Sequence, residues 1–231
     1  MGVPEPVRCR PAAYTLFNEQ MAYLETTDGL MTAAVAIAMH EMDRVRPAEV
    51  YQRIDDLADD VRHRARSAQP KAVLAHLHDV LFDTHGFTGN VEDYYDPFNS
   101  YLPAVLDTRR GIPIALCLVY KCVAQRVGLE VEGVNAPGHF LARVRLPGEH
   151  QAMLIDPFHA GRSLTHEEAF ERIEQATQTA VPHEQGLLRA SNHRQWLIRM
   201  LQNLVNLFAP LGREDDVAAM LEMRQLVQQA P

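Results

Sequence analysis

The run from Ile114 to Val127, IALCLVYKCVAQRV, constrains this chain more than any other stretch. Only Lys121, Gln125 and Arg126 interrupt its apolar character. A helix that is apolar on nearly every side has no face to offer water, so it belongs at the centre of a fold. Pro113 is suited to open it, because the first helical residue has no use for its N–H. Gly128 is suited to close it. Strands come next. Phe140, Ala142, Val144 and Leu146 alternate with His139, Leu141, Arg143 and Arg145, which is the period of a strand. Pro147-Gly148 turns the chain, and Met153 to Ile155 runs back.

The register of that hairpin carries chemistry. If Pro147 and Gly148 alone form the loop, His139 lies opposite Asp156. A four-residue loop, Pro147 to His150, shifts the partner by two and keeps both side chains on one face. Proline is not favoured first in a two-residue hairpin loop, so the longer loop stays open. Either even-length loop brings His139 within reach of Asp156. A carboxylate beside an imidazole fixes its tautomer and favours its charged form. The two supply the base and the orienter of a nucleophile–base–orienter triad.

Three pieces, GFTGNVEDYYDPFNSYLPAVLDTRRGIPIALCLVY, VEGVNAPGHFLARV and LIDPFHAG, together resemble the transglutaminase-like superfamily. The nearer resemblance is to its SirB-type branch, in which a transglutaminase-like domain precedes a tetratricopeptide tail. With flanking helices it covers residues 28–231. It implies an α+β fold: a transglutaminase-like (papain-like) domain over residues 28–180, then a tetratricopeptide-like helical hairpin over residues 187–231. The domain would set N-terminal helices and the buried central helix against a small antiparallel sheet of three or so strands. Residues 1–27 would form an N-terminal segment, loosened by Pro4, Pro6 and Pro11, with a short helix between Tyr14 and Leu24. In folds of this kind the nucleophilic cysteine sits at the N-terminus of the central helix, where the helix dipole favours a thiolate. Relatives that keep it read G-x-C where this chain reads Gly111-Ile112-Pro113. The resemblance therefore carries the base role to His139 and the orienter role to Asp156, and carries no nucleophile. Cys117, one turn further in, shares a face with Pro113 and is expected to point into the core as a small hydrophobe.

Local signals place the remaining elements. Asp28 is expected to cap a helix running to Met42. Pro47 and Pro70 open two more helices. Leu102 to Leu106 reads as a short helix, with Asp107 or Thr108 capping the next one and Arg109 and Arg110 free to pair with Asp93 or Asp96. Thr165 and Glu168 form a capping box. Trp196, Leu197, Met200, Leu201, Leu204, Val205 and Phe208 make the stripe of a tail helix, and a second starts after Asp215 or Asp216. With room for only one such hairpin, the tail must dock on the main domain or cover a partner.

Composition narrows the function classes. A net charge of −8 argues against a phosphate-backbone partner. Cys9, Cys117 and Cys122 make no disulfide framework, which fits a reducing compartment and a cytoplasmic protein. Met1 to Arg10 has no apolar core, so no signal peptide is expected. No apolar run reaches the ~18 residues that a membrane helix needs. Asp55, Asp56, Asp59 and Asp60 read as a solvated face offset by Arg53, Arg62 and Arg64. His40 reads as a surface or half-buried helix residue. His76 and His78 stand two apart and point to different sides of a helix. His139, Asp156 and His159 match no known ligand spacing, so neither a metal nor a cofactor is expected.

Three functions fit. The first is a catalytically silent transglutaminase-like domain with a protein-binding or regulatory role, its nucleophile position taken by Pro113. The second is a cysteine hydrolase or acyltransferase using Cys117, His139 and Asp156. The third is a small-ligand binder whose pocket is shaped by His139, Asp156 and an aromatic loop carrying Tyr94, Tyr95 and Asn99. The expected partner is an unidentified protein, with homo-oligomerisation left open. Neither nucleic acid nor membrane is expected.

Overall fold

The computed structural model describes residues 5–149 and 151–230. Among these the helices are α1 (Pro11–Gln20), α2 (Thr27–Met39), α3 (Pro47–Arg64), α4 (Pro70–His78), α5 (Leu102–Thr108), α6 (Pro113–Arg126), α7 (His166–Thr177), α8 (His193–Phe208) and α9 (Glu214–Gln229). Proline opens α1, α3, α4 and α6, where its missing N–H removes a donor that no carbonyl would have met. α6 is buried along nearly its whole length and closes on Gly128, which adopts positive φ. Each leucine or valine it hides contributes roughly 1.5–3 kcal/mol.

Two sheets accompany the helices. β1 (Thr88–Gly89) and β2 (Arg110–Gly111) form a short parallel ladder just ahead of α6. β3 (Glu130–Val134), β4 (Leu141–Arg145), β5 (Met153–Asp156), β6 (Arg162–Leu164) and β7 (Ala190–Ser191) form an antiparallel sheet in the order β6-β5-β4-β3-β7. The expected three strands become five because β6 and β7 are too short to leave a period in the sequence. β4 and β5 pair Val144 with Met153 and Ala142 with Ile155. That register belongs to the longer of the two even loops, in which Asp156 comes just after the partner of Ala142. His150, the last residue of that loop, lies outside the described residues.

The sheet is covered on both sides. Val131, Phe140, Ala142, Val144 and Ile155 join the main core around α6. Val134, Leu141, Leu154 and Leu164 face the other way and pack against Ala169, Phe170 and Ile173 of α7. Leu141 thus leaves the polar set of its alternating strand because a second helix layer covers that face. α7 opens on the expected capping box of Thr165 and Glu168.

α8 and α9 form an antiparallel pair that docks on α1, α2 and α6. The indole of Trp196 lies 4.7 Å from the Phe140 ring, centroid to centroid. Gly133 makes room for it, since a Cβ there would stand 2.5 Å from the indole. Glu222 of α9 accepts from the backbone N–H of Arg8 and Cys9, tying the start of the chain to its end.

Several local expectations are corrected. Thr26, not Asp28, caps α2, its hydroxyl accepting from the Gly29 N–H, and the helix stops at Met39 rather than Met42. Ile112, and neither Asp107 nor Thr108, stands at the N-cap of α6. Those two residues still belong to α5, which Arg109 ends in the left-handed region at φ 59°. Among the described residues no ion pair joins Arg109 or Arg110 to Asp93 or Asp96, and Asp107 is taken by Arg53 at 2.6 Å. Arg213 is the N-cap of α9, so Asp215 and Asp216 lie in its first turn, where their charge suits the dipole. The acidic run of α3 is a surface of ion pairs: Asp55 with Arg126, Asp59 with Arg62 and Asp60 with His85.

His40 is not a surface residue. It is buried, and its ring bonds Asp216 of α9 at 2.9 Å, while Arg213 spans Asp216 and Glu41. This cluster pins α9 to the end of α2. His40→Ala is expected to lower stability by roughly 1–3 kcal/mol, by leaving its partners short of a bond. Urea unfolding monitored by circular dichroism measures it, and an unchanged midpoint would show that the cluster holds nothing.

Candidate functional site

A cleft of about 170 Å³ opens at the N-terminal end of α6. Ile112, Pro113 and Ile114 form its floor, and Gly138, His139 and Phe140 form one wall. Tyr94 and Tyr95 close the rim, and Arg199, Asn203, Asn206 and Leu207 of α8 form the far wall.

A tight turn brings His139 there. The His139 N–H donates to the Ala136 carbonyl at 3.3 Å, and Gly138 adopts φ 68°. Proline next to a glycine at positive φ is the pattern of a type II turn. His139 thus enters the sheet from the cleft side, two residues ahead of β4. Its Nε2 lies 3.0 Å from Asp156 Oδ2. An ionised carboxylate has no proton to give, so His139 donates from Nε2 and keeps Nδ1 as its remaining nitrogen.

Asp156 is completely buried at the end of β5. Its Oδ1 accepts from the Phe158 N–H at 3.2 Å, capping the short turn Pro157–His159. Its Oδ2 accepts from His139 and also from His159 Nδ1 at 2.7 Å, and Arg172 Nε stands 3.9 Å away. Burial pushes this carboxyl up, but the hydrogen bonds and charge of the two histidines outweigh it and hold the group well below the usual carboxylate range. Phe158 packs edge-on to both Tyr94 and His139 and joins the dyad to the aromatic rim.

The ligand atoms of His139, Asp156 and His159 lie within 4.8 Å of one another, so the three could reach one metal ion. Arg172 places a positive charge beside the shared carboxylate, which works against a cation there. Both histidines already bond the oxygen that such an ion would take.

Cys117 is fully buried, and its thiol donates to the Phe140 carbonyl at 3.5 Å. Burial, reinforced by the charge of Asp156, raises the thiol well above its ordinary value, opposite to what a nucleophile needs. Tyr94 and Tyr95 line the cleft. Asn99 is buried, and its amide donates to the Asp93 and Tyr94 carbonyls while its oxygen accepts from Asn90. It holds the loop from behind. The residues that sequence reading missed are those of α8. Arg199, Asn203 and Asn206 fall four and three apart, one edge of the polar face of an amphipathic helix, and that spacing was the available signal.

Residues 48–202 match the profile of the Transglutaminase-like superfamily. The chain is 36% identical over 211 residues to a UPF0162 protein of Xylella fastidiosa, covering 88% of this chain and 73% of that protein. It is 27% identical over 205 residues to a UPF0162 protein of Pseudomonas aeruginosa, covering 87% and 72%. A shorter similarity, 37% over 141 residues, links it to F-box only protein 21 of Mus musculus, covering 58% of this chain and 22% of that protein. No solved structure matches it.

Proposed function

The chain belongs to the transglutaminase-like superfamily, and from that premise we propose that it is a catalytically silent member whose cleft binds a partner protein. One observation carries the reading. Pro113 stands in the cleft with His139, at the head of the central helix, and it has no nucleophile to offer. Cys117 does not replace it, being sealed in the core with its proton held by a backbone carbonyl. His139 and Asp156 then serve as a clamp that holds the β5 turn against the cleft wall. The rim favours a macromolecular partner. Tyr95, Phe98 and Val91 expose apolar surface on the same loop, at 78%, 42% and 76%.

The SirB-type affinity and the tetratricopeptide-like character of the tail belong to the same proposal. Their support is a single antiparallel pair, α8 and α9, placed after the α7 layer. We read residues 28–180 as the transglutaminase-like domain and residues 187–231 as the appended hairpin. We also place the chain in the cytoplasm, a reading supported by its three free cysteines. No helix among the described residues is long and apolar enough to cross a membrane.

Alkylation with iodoacetamide, read by mass spectrometry on native protein, tests the silent-site reading. Cys117 is expected to stay unlabelled until the protein unfolds. Pro113→Cys is expected to label rapidly at neutral pH, and more slowly once His139→Ala removes the neighbouring base. Rapid labelling of Cys117 in the native chain, abolished by His139→Ala, would instead make this a cysteine hydrolase or acyltransferase.

A further inference from the structure

We propose that Arg199, with the amides of Asn203 and Asn206, recognises a carboxylate of the bound partner in the cleft; this rests on the reading of the cleft as a binding site. Arg199 is half-buried, and its hydrogen bonds run to neutral acceptors. Nε donates to Asn203 Oδ1 at 3.1 Å, and Nη1 donates to Asn135 Oδ1 at 3.0 Å and to the Ala136 carbonyl at 3.5 Å. Among the described residues it forms no ion pair with Asp or Glu. Three other part-buried arginines meet carboxylates: Arg126 has Asp28 and Asp55, Arg143 has Glu132, and Arg213 has Glu41 and Asp216, whereas Arg224 bonds the neutral Gln202.

A guanidinium held in a planar frame by neutral groups, with its charge unanswered, is prepared for a planar anion. Burial pulls Arg199 below its ordinary pKa, and a bound anion would reverse that penalty. The two asparagines extend the same surface. Asn203 spends its oxygen on Arg199 and Asn206 spends its own on Gln202, so both present amide N–H groups. The N-terminal end of α6 contributes positive potential at the floor.

The charge balance disfavours a dianion. Asp96, the carboxylate of the lining, accepts from the Phe98 N–H and makes no ion pair with Arg199. Arg199 brings one positive charge to meet one carboxylate of the partner, and Asp96 already adds a negative charge to the same lining. A phosphate monoester, at about −1.5 to −2, would be undercompensated. The carboxylate's source is a chain terminus or an acidic side chain, and the aromatic rim accommodates the residue that carries it.

Side-chain and backbone NMR titrations of the full chain decide it, with four probes at neutral pH: N-acetylphenylalanine, its neutral amide, the α-amide of N-acetylglutamate, and inorganic phosphate. At least one carboxylate probe is expected to bind about tenfold or more tighter than the neutral amide and to shift the Arg199 Nε resonance. Whichever of the two binds tighter identifies terminus or side chain as the source. Arg199→Gln is expected to erase the preference. Because Arg199 also braces Asn135, a second variant guards against misfolding: Asn206→Asp leaves those bonds intact, adds a negative charge to an exposed position, and should erase the preference too. Equal binding of acid and amide, or a preference that survives both variants, overturns carboxylate recognition while leaving a binding cleft. Stronger binding of phosphate overturns the carboxylate assignment. If no probe shifts cleft resonances, the binding reading falls with it.

Discussion

Asp156→Ala is expected to cost about 3–5 kcal/mol, a large share of the ~5–15 kcal/mol that holds a domain of this kind folded. The carboxylate is completely buried and is an acceptor for three donors: His139, His159 and the Phe158 N–H. Alanine would leave the ring nitrogen of His139 and the Phe158 amide without a partner in the protein interior, where each such loss costs about 1–3 kcal/mol. His159, more exposed, can turn to water. Asp156→Asn keeps one acceptor oxygen and should cost less. Equilibrium unfolding by urea, monitored by circular dichroism, gives the numbers. A cost below about 1 kcal/mol would mean that the dyad does not clamp the fold.

The same group sets a pH dependence whose sign is fixed by its shift. The carboxyl lies well below its ordinary 3.8 in the folded chain, so between those two values the unfolded chain binds more protons. Stability therefore rises with pH through that window. The contribution of Asp156 is complete above about pH 4 and fades as the solution is acidified toward the folded value. In Asp156→Asn the acid limb of the stability profile should flatten over that window. An unchanged limb would assign acid unfolding to other carboxylates.

Trp196→Ala is expected to cost about 3–5 kcal/mol, and Trp196→Phe far less. The indole is fully buried against Phe140 and over Gly133, where it joins α8 to the sheet. Among the described residues its Nε1–H has no hydrogen-bond partner, so phenylalanine gives up volume but no bond. Alanine would leave a cavity at the joint and free α8, and with it Arg199 and the asparagine face of the cleft. Denaturant unfolding compares the two variants. Trypsin digestion adds a local readout, since an undocked α8 would be cut early at Arg194 or Arg199. Near-equal stability of the two variants would show that the ring's contacts matter little and that α8 is held elsewhere.

Much of this was legible in the residues alone, wherever the signal is local. Proline at the first position marks α3, α4 and α6 because its cost vanishes there. The capping box of α7 works through residues three apart. The pairing of His139 with Asp156 came from strand alternation, since either even loop puts them on one face. Legibility failed where several local choices were equivalent. Thr26 and Asp28 are both good caps, and local preference did not separate them. The two hairpin loops differ by a pair of residues and put the same faces together, so strand alternation did not separate them, and the fold takes the register with Val144 beside Met153. His40 looked like a surface or half-buried residue because its partner, Asp216, lies 176 positions away.

The cleft divides along the same line. By itself the sequence determined that an almost wholly apolar helix must be central, that Pro113 heads it, and that a histidine and an aspartate meet beside it. Period and residue chemistry suffice for each of those. Only the tertiary structure decided that α8 forms the far wall, that Arg199 stands there with no ion pair among the described residues, and that Cys117 is sealed behind Phe140. Those facts depend on which surfaces meet after the chain has folded back on itself, and contact between residues so far apart in sequence leaves no trace in local periodicity.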